Sequence, residues 1–242
     1  MTNQVRRKAH LLAGMKKMMP LKLHDDLSYC KVDGNLIFLD IQNDRYFRLS
    51  TDLESCFVNY LEGDDGSHRA IQRLIEHRIL IGAATDAGRI PVSLPGSPTR
   101  SAMEEQVSTH RTSISEVLDT FAIVCSTQLL LKTRRLKHVL ARLASYREKR
   151  VPQALISHQD KSRTLDATAA FRSTRPYVPI DTCCLLDSIA LVKFLAKREL
   201  AAKLVFGVTA TPFSAHCWAQ YETTVLNDTV GHVLAHTPIR VI

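Results

Sequence analysis

Several signals are missing from this 242-residue chain, and each absence narrows the reading. Its six cysteines (Cys30, Cys56, Cys125, Cys183, Cys184, Cys217) form no Cys-x-x-Cys pair, so they give no zinc-ribbon or dithiol redox pattern and no metal is expected. The first twenty residues are basic, but Lys8, Lys16 and Lys17 break any apolar core of a secretory signal. The longest apolar run, 121–131, is interrupted by Ser126, Thr127 and Gln128 and is too short to span a bilayer. No Gly-rich phosphate loop is present, so the sequence itself places no nucleotide. No internal repeat is found. Together these absences predict a protein of the reducing cytoplasm with free thiols and no membrane partner.

Acidic residues are also outnumbered. Against 32 Lys and Arg stand 24 Asp and Glu, a net charge of +8 and a pI near 9.3. That balance fits an acidic or polyanionic partner, or simply a soluble basic surface. Basic residues crowd 132–150 (Lys132, Arg134, Arg135, Lys137, Arg142, Arg147, Lys149, Arg150) around a single acid, Glu148. This stretch reads either as a solvated helix face or as a rim for an acidic peptide or a phosphate.

What is present divides the chain into a basic extension (1–23), a small β-rich module (24–82), a linker (83–112) and a larger module (113–242). In the first module, Tyr29 to Val32, Asp33-Gly34-Asn35 and Leu36 to Ile41 predict a hairpin with a tight turn. Asn43-Asp44 turns into a third strand, Tyr46 to Leu49. Ser50 or Thr51 then caps a helix with Leu53, Phe57, Val58 and Leu61 on its apolar side. A second helix follows, with Ile71, Leu74 and Ile75 on one face. This is a winged-helix-like pattern of three strands plus helices. Pro91, Pro95, Gly96 and Pro98 make the linker. Beyond it, 114–150 predicts two helices, the first with a stripe of Val117, Leu118, Phe121, Val124 and Cys125. A helix from Cys184 to Glu199 and strands at 203–208, 216–221 and 224–228 complete an α+β architecture with helices packed on an antiparallel sheet.

Three stretches in the last quarter carry chemistry: Asp181-Thr182-Cys183-Cys184-Leu185, Ala215-His216-Cys217-Trp218 and Leu226-Asn227-Asp228. A cysteine at a helix N-terminus faces unpaired N–H groups and the positive end of the helix dipole, which favour thiolate. His216 is placed to take the thiol proton and return it to a leaving amine. Asp228 would hold the imidazole tautomer, and Trp218 would keep water from that contact. Taken alone, each has a plainer role: a buried cysteine is a small hydrophobe, a strand histidine a surface or core group, and Asp228 after Asn227 a turn residue. Helix periodicity does not choose between Cys183 and Cys184. Cys217 alternates away from His216 and is expected to pack. Cys30, Cys56 and Cys125 are expected in the core. His232 and His236 follow in the tail with no evident acid partner and are the weaker bases.

From Asp181 onward the pattern Cys-Leu, Leu-Val-Phe-Gly-Val-x-x-x-Pro-Phe, Ser-x-His-x-Trp and Val-Leu-Asn-Asp resembles the B protein of lasso-peptide biosynthesis. That protein is a leader peptidase of the transglutaminase-like, papain-related superfamily. The resemblance implies Cys184 as nucleophile, His216 as base and Asp228 as acid. Val32 to Ile41 with Arg45-Tyr46-Phe47-Arg48-Leu49 is similar to the precursor-recognition element typified by the peptide chaperone of pyrroloquinoline-quinone biosynthesis. That similarity implies that a leader peptide adds as a strand to Tyr46, Phe47, Arg48 and Leu49 and lies against Ile71, Leu74 and Ile75. It further implies an asparagine-synthetase-like cyclase as partner and ATP in support of the process, with no ATP site placed. Two rivals stand beside leader cleavage: acyl transfer from the same thioester to an amine, and a winged-helix nucleic-acid binder with an inert triad. Against the last, the helix that would read a duplex (67–78) mixes apolar residues with Glu76, and the basic residues concentrate elsewhere.

Overall fold

The computed structural model describes residues 21–63, 68–82, 96–105, 113–151 and 158–242. It has a small N-terminal strand-and-helix region and a C-terminal domain of sheet plus helices. The basic extension, residues 1–20, lies outside the described residues.

By packing, the chain forms two units, and each is discontinuous in sequence: Met1–Asp25 with Thr51–Ile90, and Asp26–Ser50 with Pro91–Ile242. In the first unit Leu21–Leu23 (β1) pairs antiparallel with Leu80–Gly82 (β5). Between them in sequence come the helices Thr51–Glu62 (α1) and His68–Glu76 (α2). Helix α1 buries Leu53 and Phe57, α2 buries Leu74, and the Tyr60 hydroxyl donates to the Leu21 carbonyl at 2.6 Å.

The three strands expected in that first module pack instead with the second unit. Leu27–Val32 (β2) and Asn35–Asp40 (β3) make the hairpin in the expected register. Asp33 and Gly34 sit at φ 49° and 81°, the left-handed pair that a two-residue hairpin turn requires. The third strand is Arg45–Phe47 (β4), which stops before Arg48 and Leu49. Lys137 Nζ pairs with Asp26 at 2.6 Å and Arg240 donates to Ser28 Oγ at 3.4 Å, so these strands are tied to the C-terminal half.

That half holds a five-stranded sheet. Its strands are Arg100–Ser101 (β6), Lys203–Ala210 (β7), Phe213–Tyr221 (β8), Thr224–Val225 (β9) and Thr237–Val241 (β10), in the order β10-β7-β8-β9-β6. Every pairing is antiparallel except β6 with β9. The described part of the expected linker (96–105) therefore contributes an edge strand. Proline and serine composition hid it, because two residues carry no periodicity. Strand β8 also starts three residues earlier than the expected 216.

The helices Ile114–Thr133 (α3), Leu136–Arg150 (α4), His158–Thr174 (α5) and Cys184–Lys197 (α6) complete this unit, with Val230–Leu234 (α7) as a single short turn of helix before β10. Helix α6 is the hub, with Ile189, Ala190, Val192, Phe194 and Leu195 buried against its neighbours. Helix α3 is the only helix among the described residues long and apolar enough, by length and composition, to cross a bilayer. It turns Thr120 and Thr127 inward, on either side of the buried Val124. Thr120 and Thr174 share a hydrogen bond at 2.7 Å, Thr127 donates to the Ile123 carbonyl, and Lys193 Nζ donates to Thr127. Leu118 and Phe121, expected on the buried stripe, are exposed. The polar face wins the interior because its hydroxyls find partners there.

Gly207 on β7 lies opposite His216 on β8. A Cβ at 207 would come within 2.7 Å of the Trp218 ring and 2.9 Å of His236 Cβ. Gly207→Ala therefore overpacks this corner and should cost about 1–3 kcal/mol. The urea midpoint should fall with an unchanged slope, as measured by far-UV circular dichroism.

Candidate active site

Helix α6 begins at Cys184, with Cys183 in extended conformation as its N-cap. A buried ion pair builds this start. Arg175, 8% exposed, donates through Nε to Asp187 Oδ1 at 2.6 Å. Asp187 Oδ2 accepts the Cys183 N–H at 3.1 Å. The same guanidinium donates to the carbonyls of Val178, Ile180 and Asp181, which pins the loop leading into the helix. Cys184 thus sits at a fixed first turn rather than on a frayed end.

One helical turn later, Ser188 is fully buried. Its hydroxyl donates to the Cys217 carbonyl at 3.0 Å and accepts from Asn227 Nδ2 at 2.8 Å. Asn227 Oδ1 accepts the Ala219 N–H at 2.8 Å. Three polar groups therefore join α6, β8 and the loop after β9. On the thiol side, Cys184 meets the backbone N–H groups of Cys217 and Leu185. Cys217 itself is buried, as expected from the alternation of β8.

His216 Nε2 lies 2.5 Å from Asp228 Oδ2. Asp228 is not on a strand, as the sequence suggested, but in the bend that leads into α7. Its carbonyl accepts the Ser101 hydroxyl at 2.5 Å, its Oδ1 accepts the Thr229 N–H at 2.7 Å, and its Oδ2 also receives His232 Nδ1 at 2.9 Å. His232 therefore has the acid partner that the sequence reading denied it. The signal was available: His232 is four residues from Asp228, within reach across the capped start of α7. His236 donates through Nδ1 to the His232 carbonyl at 2.9 Å. Trp218, 1% exposed, stacks at 18° on His216 with ring centroids 6.0 Å apart, and its indole N–H goes to Gln220.

Burial dominates the electrostatics. Cys184 is an exposed residue, but the protein around its sulfur partly desolvates it and raises the thiol, with the neighbouring Cys183 adding to the rise and the N–H groups of Cys217 and Leu185 opposing it. The direction is opposite to the depressed thiol expected at a helix start. Burial likewise lowers His216, against the hydrogen bond and charge of Asp228, which raise it. Asp228 is also penalised by burial, but hydrogen bonds from Thr229, His232 and His216 hold it below the usual carboxylate range. At both Cys184 and His216 desolvation favours the neutral form.

Among the described residues, His216, Asp228 and His232 bring donor atoms within 4.8 Å of one another. Two donors on one tetrahedral ion stand roughly 3.3 Å apart for bonds near 2.0 Å. The 2.5 Å and 2.9 Å separations here are those of hydrogen bonds, and we assign them as such.

The residues expected to hold a leader divide. Tyr46 to Leu49 belong to the unit that carries Cys184, while Ile71, Leu74 and Ile75 belong to the other. Leu74 is fully buried and offers no surface to a ligand. Burial raises the Tyr46 phenol, and Cys217 and Cys184 are among the groups that act on it electrostatically, so Tyr46 stands near the thiol. Its ring meets Phe213 at 5.6 Å.

Residues 125–241 match a family model described as transglutaminase-like superfamily. This stretch contains Cys184, His216 and Asp228. Comparison with curated proteins and with solved structures returned no match for the chain.

The thiol's raised value gives a signed expectation. Carbamidomethylation of Cys184 in a Cys183→Ser background, followed by peptide mass spectrometry, should speed up about tenfold per pH unit between pH 6 and 9. A rate already level across that range would mean a preformed thiolate–imidazolium pair.

Proposed function

We propose that this protein is a cysteine peptidase that binds the leader of a ribosomally made lasso-peptide precursor and cuts it from the core. The observation that carries the proposal is the His216–Asp228 contact at 2.5 Å, on a strand whose next residue offers its N–H to the Cys184 thiol at the start of a helix. The transglutaminase-like match over residues 125–241 supports thiol-dependent acyl chemistry. The lasso assignment rests on the resemblance that runs from about Asp181 to the C-terminus.

In this reading the scissile carbonyl enters beside Cys184. Asp228 holds Nε2 of His216, so Nδ1 is the nitrogen left to act as base. Because desolvation favours the neutral thiol and imidazole, proton transfer to His216 accompanies attack of sulfur on the carbonyl carbon. Negative charge develops on the carbonyl oxygen, where N–H groups of the first turn of α6 can receive it. The imidazolium then protonates the departing amine, and the C–N bond breaks to leave a thioester. Water, deprotonated by His216, attacks the thioester, and the thiol leaves with the proton. Asp228 supports the imidazolium in both half-reactions.

Strand β4 is at the edge of the β2-β3-β4 sheet, so the backbone of Tyr46 and Phe47 offers pairing to an incoming leader strand. Partners in this proposal are the precursor and an asparagine-synthetase-like cyclase, in the cytoplasm, with ATP supporting the joint process rather than the cleavage chemistry. Interception of the same thioester by an amine would make the protein an acyltransferase.

Purified protein mixed with its precursor should release leader and core, read by mass spectrometry. Cys184→Ala should lower the rate by about 10³-fold or more. Cys183→Ala should cleave like the parent. Cleavage that survives Cys184→Ala would remove the nucleophile from this scheme. Isopeptide adducts formed with added amines, in place of the free acid, would turn the reading to acyl transfer.

A further inference from the structure

Asp228 serves two histidines through one oxygen, an arrangement the Cys-His-Asp reading does not use. Oδ2 receives His216 Nε2 at 2.5 Å and His232 Nδ1 at 2.9 Å, while Oδ1 is taken by the Thr229 N–H at 2.7 Å. An ionised carboxylate only accepts hydrogen bonds, so both ring nitrogens that face it carry protons. That fixes His216 as the Nε2–H tautomer and His232 as the Nδ1–H tautomer.

His232 is held for this contact. Thr229 caps α7 by accepting the His232 N–H at 3.3 Å, and the His232 carbonyl takes the Nδ1–H of His236. The buried His236 is packed against the Gly207 backbone, where no Cβ fits. The His232 side chain is nonetheless 52% exposed, while those of His216 and Asp228 are 14% and 16% exposed. One member of the set therefore reaches solvent and the others do not. The rings of His216 and His232 have centroids 4.5 Å apart.

We propose that His232 is a fourth, positioning member of the Cys184–His216–Asp228 set, which shares Oδ2 with His216 and so sets how much of the carboxylate's charge supports an imidazolium at 216. The inference builds on the peptidase reading, and it deepens that reading by assigning the site a solvent-facing regulator. When His232 takes a proton from solvent, its positive charge draws on Asp228 and opposes a second positive charge at His216. The charge of His232 already acts in that direction on His216, as does that of His236. The groups that bear on the pair are Asp228 from the loop after β9, His216 from β8 and His236 from the end of α7. A positive charge at His232 would thus make His216 a weaker base.

The test follows the titration of His216 by ¹H–¹⁵N ring spectra in the full-length parent, His232→Gln and His232→Phe. Glutamine keeps an N–H donor for Asp228 without a titrating charge, and phenylalanine keeps a ring without a donor. Thermal melts establish that each variant is folded, and the exposure of the site favours the conservative glutamine variant if phenylalanine fails. The His216 midpoint should rise by roughly 0.5–1 pH unit in both variants. The acid limb of kcat/KM for precursor cleavage should move up by the same amount. A further fall in kcat, with KM unchanged, is expected only for His232→Phe. A His216 midpoint that is unchanged or lowered in folded His232→Gln overturns the proposal. The ring titration decides this even if the parent cleaves no precursor, an outcome that would instead sink the peptidase reading.

Discussion

The site depends on a hydroxyl, that of Ser188, sealed inside the protein. It gives its proton to the Cys217 carbonyl and takes one from Asn227, and so ties together the helix that carries the thiol, the strand that carries the imidazole and the loop that carries the carboxylate. Each of these groups, left without a partner in so dry a place, would cost about 1–3 kcal/mol. Ser188 is fully buried and Asn227 half-buried, so the joint favours the one arrangement of the three elements in which all of these groups are satisfied. The relative positions of Cys184, His216 and Asp228 follow from that joint, from Arg175 at the foot of the helix and from Ser101 at the Asp228 carbonyl.

Burial has a second effect, on charge. The environment that makes these hydrogen bonds strong also disfavours an isolated thiolate. The helix start and the N–H of Cys217 pull the other way and do not win. In the proposed mechanism the cost falls on the chemical step, where His216 would accept a proton as the bond to sulfur forms. Asp228, kept ionised by its hydrogen bonds from Thr229, His232 and His216, lowers that cost.

Much of this was legible in the sequence. The hairpin was carried by Asp-Gly and alternation, α6 by its apolar run, and the stretches around 183–184, 216 and 228 by the setting of each, with Cys184 chosen over Cys183 only by the resemblance. Less visible were features without periodicity or without a local partner. Helix α5 presents a mixed polar face, and β6 is two residues long. Arg175 looks like any surface cation until its guanidinium closes on three carbonyls and Asp187. The stripe on α3 misled because apolar residues usually face inward, whereas here paired threonines do. Ser188 and His232 each stand four residues from a proposed catalytic residue, a spacing that reads as routine until the partner strand or loop is in place. The thiol's shift could not be read from sequence at all, since it is a balance between burial and two N–H groups.

Strands β2 to β4 interrupt one unit in sequence and pack in the other, so neither unit is a continuous length of polypeptide. During synthesis these strands leave the ribosome well before α6 or β10 exists to cover them. Their apolar face must wait, shielded by a chaperone or by non-native contacts, until nearly two hundred more residues have been made. A cut in 83–112 would leave these strands on a different fragment from the helices and sheet they pack with.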